Sequence, residues 1–193
     1  MPREQQGARA LRAAALIGTT AVLAACATTD KPPSPQELAN ACSTLKTVVA
    51  SGAKGFDSVK GRKTVYGPMF MLSADRWDTK SLFPSTECEI WQWGNGYTHY
   101  TCLWHPNGEA EAKSDFDYGK REVQSCLGSA WQMSEQPGKQ GVAATFAKAG
   151  EPVQVVLQLF QDTRGFSRTW HTSLVVGADV LKAGALYPPG SGR

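Results

Sequence analysis

Three histidines, His99, His105 and His171, are the side chains of this 193-residue chain able to trade protons near neutral pH. His99 and His105 share strand parity, so both could stand on one face of a sheet. Six residues of strand nevertheless put them about 20 Å apart, too far to hold one metal ion. The acidic residues concentrate in Glu109, Glu111, Asp115 and Asp117, ahead of Lys120 and Arg121. That order follows from a helix dipole without any catalytic role. No G-x-S-x-G, H-E-x-x-H, P-loop or G-x-G-x-x-G pattern occurs in the sequence, which removes the common hydrolase and nucleotide-binding signatures. The expectation is a non-enzymatic protein with no catalytic residue, no cofactor and no metal site.

Two features could bind rather than react. Lys54, Lys60, Arg62 and Lys63 lie beside glycines, either as a solvated loop or as a contact for anionic lipid or phosphate. The second feature is a hairpin. Glu87 to Trp93 and Tyr97 to His105 flank Gly94-Asn95-Gly96, and a three-residue loop there sets Trp93 opposite Tyr97 and Cys88 opposite Cys102. In that register Glu89, Trp91, Trp93, Tyr97, His99 and Leu103 share one face. Cys88, Ile90, Tyr100, Cys102 and Trp104 share the other. Both faces are aromatic, so one packs on helices and the other is either exposed or covered by the Trp77–Pro84 loop. If exposed, Trp91, Trp93, Tyr97 and His99 form a candidate binding face for protein or glycan.

The elements that must position these residues can be read along the chain. Ser34-Pro35-Gln36-Glu37 has the form of an N-cap, a first-turn proline and a capping-box glutamate. Leu38, Ala41, Cys42, Leu45, Val48 and Val49 then recur at helical spacing up to Gly52. A Gly- and Lys-rich connection leads to a strand over Thr64 to Ser73, interrupted by Gly67-Pro68, and Ala74 to Thr86 reads as a long polar loop. A second helix is predicted over Asn107 to Trp131, with Ala112, Phe116, Val123, Cys126, Leu127 and Ala130 on one face. Strands are predicted at Val142 to Lys148, Val153 to Gln161 and Ser167 to Val176, and 185–193 reads as a flexible Pro/Gly-rich tail. The order is α-βββ-α-βββ, two similar halves, which suggests an α+β fold with both helices on one face of an antiparallel sheet.

The N-terminus carries an address. Residues 1–12 are Arg-rich, and Ala13 to Ala25 is an uncharged run of small and apolar residues, too short to span a bilayer. Leu23-Ala24-Ala25-Cys26 resembles the lipobox of bacterial lipoproteins. That resemblance implies removal of 1–25, acylation of Cys26 and anchoring to a membrane, and Ala27 in the following position implies the outer membrane, facing the periplasm. Residues 26–33 then form a short proline-stiffened tether, and 34–184 a single domain. The formal charge of +3 falls once Arg3, Arg9, Arg12 and Glu4 are gone, leaving 17 basic against 16 acidic residues. Such a near-neutral domain has no electrostatic footprint for nucleic acid.

With Cys26 lipidated, Cys42, Cys88, Cys102 and Cys126 remain, an even number for an oxidising compartment. The hairpin register favours Cys88–Cys102 with Cys42–Cys126, and the rival staples Cys88 or Cys102 to a helix. The functional expectation is a membrane-anchored binding or inhibitor-like module whose partner is another envelope protein. The alternatives are a structural or assembly lipoprotein contacting peptidoglycan and, less favoured, an enzyme.

Overall fold

Helix α1 runs Pro35–Gly52 and begins as its first turn dictates. The Ser34 hydroxyl accepts from the Glu37 N–H, and the Glu37 carboxylate accepts from the Ser34 N–H, so two donors that the helix leaves unpaired are satisfied reciprocally. Its apolar stripe, Ala41, Leu45, Val48 and Val49, is buried. Helix α2 runs Glu109–Leu127, shorter at both ends than the predicted Asn107 to Trp131. Gly128 stops it at φ +80°, a backbone angle where most side chains are strained. Trp131 is carried past the helix end into the core.

A computed structural model describes residues 34–64, 74–80, 86–94, 96–104, 108–138, 141–162, 168–178 and 180. The leader, Cys26, the tether, His105 and the tail over 185–193 lie outside the described residues.

Among the described residues, eight antiparallel strands form one sheet: β1 (Lys63–Thr64), β2 (Ala74–Asp78), β3 (Thr86–Trp93), β4 (Thr98–Trp104), β5 (Gln132–Gly138), β6 (Gly141–Ala147), β7 (Val153–Asp162) and β8 (Thr169–Ala178). Their spatial order is β1-β2-β3-β4-β8-β7-β6-β5. The chain is therefore a helix and a four-stranded meander, written twice. The last strands of the two meanders, β4 and β8, meet at the centre, where pairing removes an open edge from each half.

The α+β architecture is as expected, but each half has four strands rather than three. The stretch read as a polar loop over Ala74 to Thr86 contains β2, whose A-D-R-W-D sequence is held as a strand by its neighbour β3. The first predicted strand, Thr64 to Ser73, begins at β1, and 65–73 lies outside the described residues. Strand β5 was not foreseen. Every residue of it is exposed, and Pro137 sits in it at the sheet edge, where a missing N–H removes no interior ladder bond.

Both helices lie on the face built from Ile90, Tyr100, Cys102, Trp104, Phe146, Val155, Leu157 and Leu174. The Thr172 hydroxyl donates to the Ala112 carbonyl of α2 at 2.6 Å, fixing that helix on β8. Gly119 in mid-α2 is explained by proximity, since a Cβ there would come within 3.0 Å of the Leu157 side chain. Cys42 and Cys126 are disulfide-bonded and join the two helices. Among the described residues no helix is long and apolar enough to cross a membrane.

Candidate functional site

The β3–β4 hairpin has the register that its turn implies. Gly96 donates its N–H to the Trp93 carbonyl at 2.9 Å, and Trp93 donates to the Tyr97 carbonyl at 2.8 Å. Gly96 at φ +87° adopts the left-handed conformation expected of the last residue of a three-residue hairpin loop. Since hydrogen-bonded and open pairs alternate along an antiparallel ladder, a bonded Trp93–Tyr97 pair makes Cys88–Cys102 an open pair, where side chains approach most closely. Those two cysteines are disulfide-bonded across the strands. Both favoured pairings are thus present, and the rival staple of Cys88 or Cys102 to a helix is not.

The even-numbered hairpin residues face the helices, leaving Glu89, Trp91, Trp93, Tyr97 and His99 on the other side. Trp77, suggested as part of a cover for this face, is instead a β2 residue packed on the helix-side core. The rest of that suggested cover, residues 81–84, lies outside the described residues.

These side chains form one connected cluster. The Trp91 and Trp93 rings stack with centroids 5.5 Å apart. Arg76, from β2, lays its guanidinium over Trp91 at 4.1 Å and pairs with Glu89, whose other oxygen accepts from the Trp91 Nε1–H at 3.1 Å. Arg76 went unrecognised in the sequence because its segment read as loop. The alternation of Ala74, Arg76 and Asp78 against Trp77 was the available signal, too short to stand alone.

The four candidate face residues differ in access. Tyr97 is 37% exposed, and Trp91 and Trp93 are half-buried. His99, read as part of the same accessible face, is only 1% exposed and forms the floor beneath it. It fits because β8 offers Gly177 at that point: a Cβ there would lie 2.6 Å from His99 Cδ2. The His99 nitrogens have no hydrogen-bond partner among the described residues, and burial lowers the pKa from 6.5 to about 4. The imidazole is consequently neutral at pH 7 and offers the face an uncharged floor.

The other ionisable groups are dispersed. His171 stacks on Phe160 at 5.3 Å and lies on β8 six residues from Gly177, roughly 20 Å from His99. Lys60 pairs with Asp57 at 2.8 Å, Lys63 with Asp75 at 2.8 Å and Arg62 with Asp78 at 3.6 Å, so the basic cluster is largely neutralised by its own neighbours. Among the described residues, no three His, Cys, Asp or Glu side chains gather where they could hold a metal ion. What the hairpin arrangement can do chemically is bind: rigid aromatic area, a guanidinium, and an acidic group already oriented. No protein-family model, no curated protein and no solved structure matches the chain.

Proposed function

We propose that this protein is a lipid-anchored lipoprotein of the bacterial envelope, held by Cys26 at the outer membrane, that binds another envelope protein without catalysing a reaction. The lipobox at Leu23-Ala24-Ala25-Cys26 supports the address. The two disulfides support an oxidising compartment.

One observation carries the binding assignment: the helix-free side of the hairpin presents the stacked Trp91–Trp93 pair, Arg76 and the exposed Tyr97 as a single patch. Trp, Tyr and Arg are the residue types that dominate binding energy at protein interfaces. They bring large contact area at little conformational cost, and the ion pair with Glu89 pre-orients the guanidinium.

The test is site-specific photo-crosslinking in intact cells, with the reactive group placed at Tyr97. A defined envelope-protein adduct is expected, lost when Trp91→Ser and Trp93→Ser are combined while the protein stays folded. An adduct pattern unchanged by the double substitution would refute the assignment of this face. For the anchor, intact-mass analysis should find a lipidated N-terminal Cys26, and Cys26→Ser should release the protein from the membrane fraction.

A further inference from the structure

A concavity lies away from the hairpin patch. It is a cleft of 540 Å³ between α1, the turns that follow it and the segment leaving β2. That volume falls in the ordinary range for small-molecule sites. Its polar lining comes chiefly from Ser43, Thr44, Thr47, Ser58, Thr79 and Lys80.

The walls are held in place before any ligand arrives. Phe56 adopts φ +66°, a left-handed conformation that is unfavourable for a bulky residue. It is stabilised there because its ring is fully buried, near the Tyr100 ring. The Phe56 carbonyl then accepts from Val59 at 2.9 Å and from Lys60 at 3.1 Å, which tightens the wall. Gly61 donates to the Asp78 carbonyl at 2.7 Å, and the Thr79 hydroxyl donates to the Val59 carbonyl at 2.9 Å, tying that wall to the opposite one. The Tyr100 hydroxyl donates to the Lys80 carbonyl at 2.7 Å and fixes the backbone of the one lysine that matters most.

Charge and hydrogen-bonding capacity define the ligand. Lys60 is paired with Asp57 and sits over the Trp77 ring at 4.5 Å. Asp78 is paired with Arg62 and accepts from the Thr64 hydroxyl. Among the described residues, Lys80 is therefore the charged group of the cleft left without a counter-ion. The hydroxyls of Ser43, Thr44 and Ser58 make no hydrogen bond among the described residues, and each can both donate and accept. Val59, half-buried, adds an apolar patch beside them. Hydroxyls that donate and accept suit a polyhydroxylated ligand, an apolar patch suits the C–H face of a sugar ring, and an uncompensated ammonium suits one anionic group. A bare anion would gain little from a single exposed lysine.

We propose that this cleft binds a sugar that carries a carboxylate or a phosphate. The experiment is isothermal titration calorimetry on the purified full-length protein with glucuronate, glucose phosphate, glucose and inorganic phosphate. Both charged sugars should bind saturably, about two- to fivefold more tightly than glucose, as expected for one exposed ion pair, and more tightly than inorganic phosphate, which cannot use the rest of the lining. A preference for glucuronate or for glucose phosphate identifies the carboxylate or the phosphate as the source of the charge. Lys80→Gln should bring the charged sugars down to the level of glucose, and Ser58→Ala should weaken all three sugars. Lys148→Gln, which removes an exposed lysine elsewhere, should change nothing. The proposal is overturned if neither charged sugar binds saturably, if inorganic phosphate binds as well as glucose phosphate, or if Lys148→Gln weakens binding as much as Lys80→Gln.

Discussion

Lowering the pH should destabilise this domain through His99 in particular. The imidazole is buried, its nitrogens lack hydrogen-bond partners among the described residues, and burial depresses its pKa from 6.5 to about 4. On the same sheet face Glu89, the carboxylate that could compensate an imidazolium, is already engaged by Arg76. A base whose folded pKa lies below its unfolded value is protonated first in the unfolded chain. Its contribution to stability is complete above about pH 6.5, falls as the pH drops, and is exhausted once the pH passes below the folded value near 4. The difference of about 2.5 pH units corresponds to about 3.4 kcal/mol, of which about 2 kcal/mol is gone by roughly pH 5. Urea denaturation of the wild type and of His99→Leu across this range provides the assay. Carboxylates titrate in both proteins and cancel in the difference, which isolates the histidine. At neutral pH the variant should be as stable as the wild type or more so, because it removes two unsatisfied buried nitrogens. Parallel stability curves for the two proteins, or an NMR titration placing His99 near 6.5, would refute the reasoning.

Three further outcomes follow from the geometry. Replacing Cys42 and Cys126 by Ala opens a crosslink spanning 84 residues and should cost about 4.6 kcal/mol, against about 3.0 kcal/mol for the 14-residue Cys88–Cys102 link, if loop entropy dominates. Denaturant midpoints of the two double variants check the order, and its reversal would count against that account. Gly177→Ala should lose about 1–3 kcal/mol from the clash with His99, and combining it with His99→Ala should recover most of the loss in a double-mutant cycle. Trp91→Ser with Trp93→Ser should lower stability by less than the ~3–5 kcal/mol per residue of core tryptophans, since both rings are half-buried, and thermal unfolding measures it.

How much of this was legible before folding depended on whether the signal is local. Helix α1 was readable because its capping box, first-turn proline and apolar stripe are all encoded within about five turns of chain. The hairpin and its disulfide were readable because a two-strand register follows from one turn. Strand β2 was not, because Ala74–Asp78 has little strand character of its own and exists by pairing with β3 and by the Arg76–Glu89 contact. The same holds for β5, an exposed edge that pairs, among the described strands, with β6 alone.

The sequence by itself determined the α+β class, the two similar halves and the parity that sets Trp91 and Trp93 apart from Cys88 and Ile90, and it favoured the cysteine pairs that the structure then showed. Periodicity, turn chemistry and the even count of cysteines act over short distances or by arithmetic, so no tertiary knowledge was needed. The tertiary structure alone decided that β4 and β8 join the halves, that Arg76 reaches Trp91, and that His99 lies buried against Gly177. It also decided that Lys60, Arg62 and Lys63 are matched by acids while Lys80, among the described residues, is left over at a hydroxyl-lined cleft. Each of these depends on residues remote in sequence meeting at a particular distance and burial. Neither quantity is carried by residue type or spacing, because packing the two meanders and their helices together sets both at once.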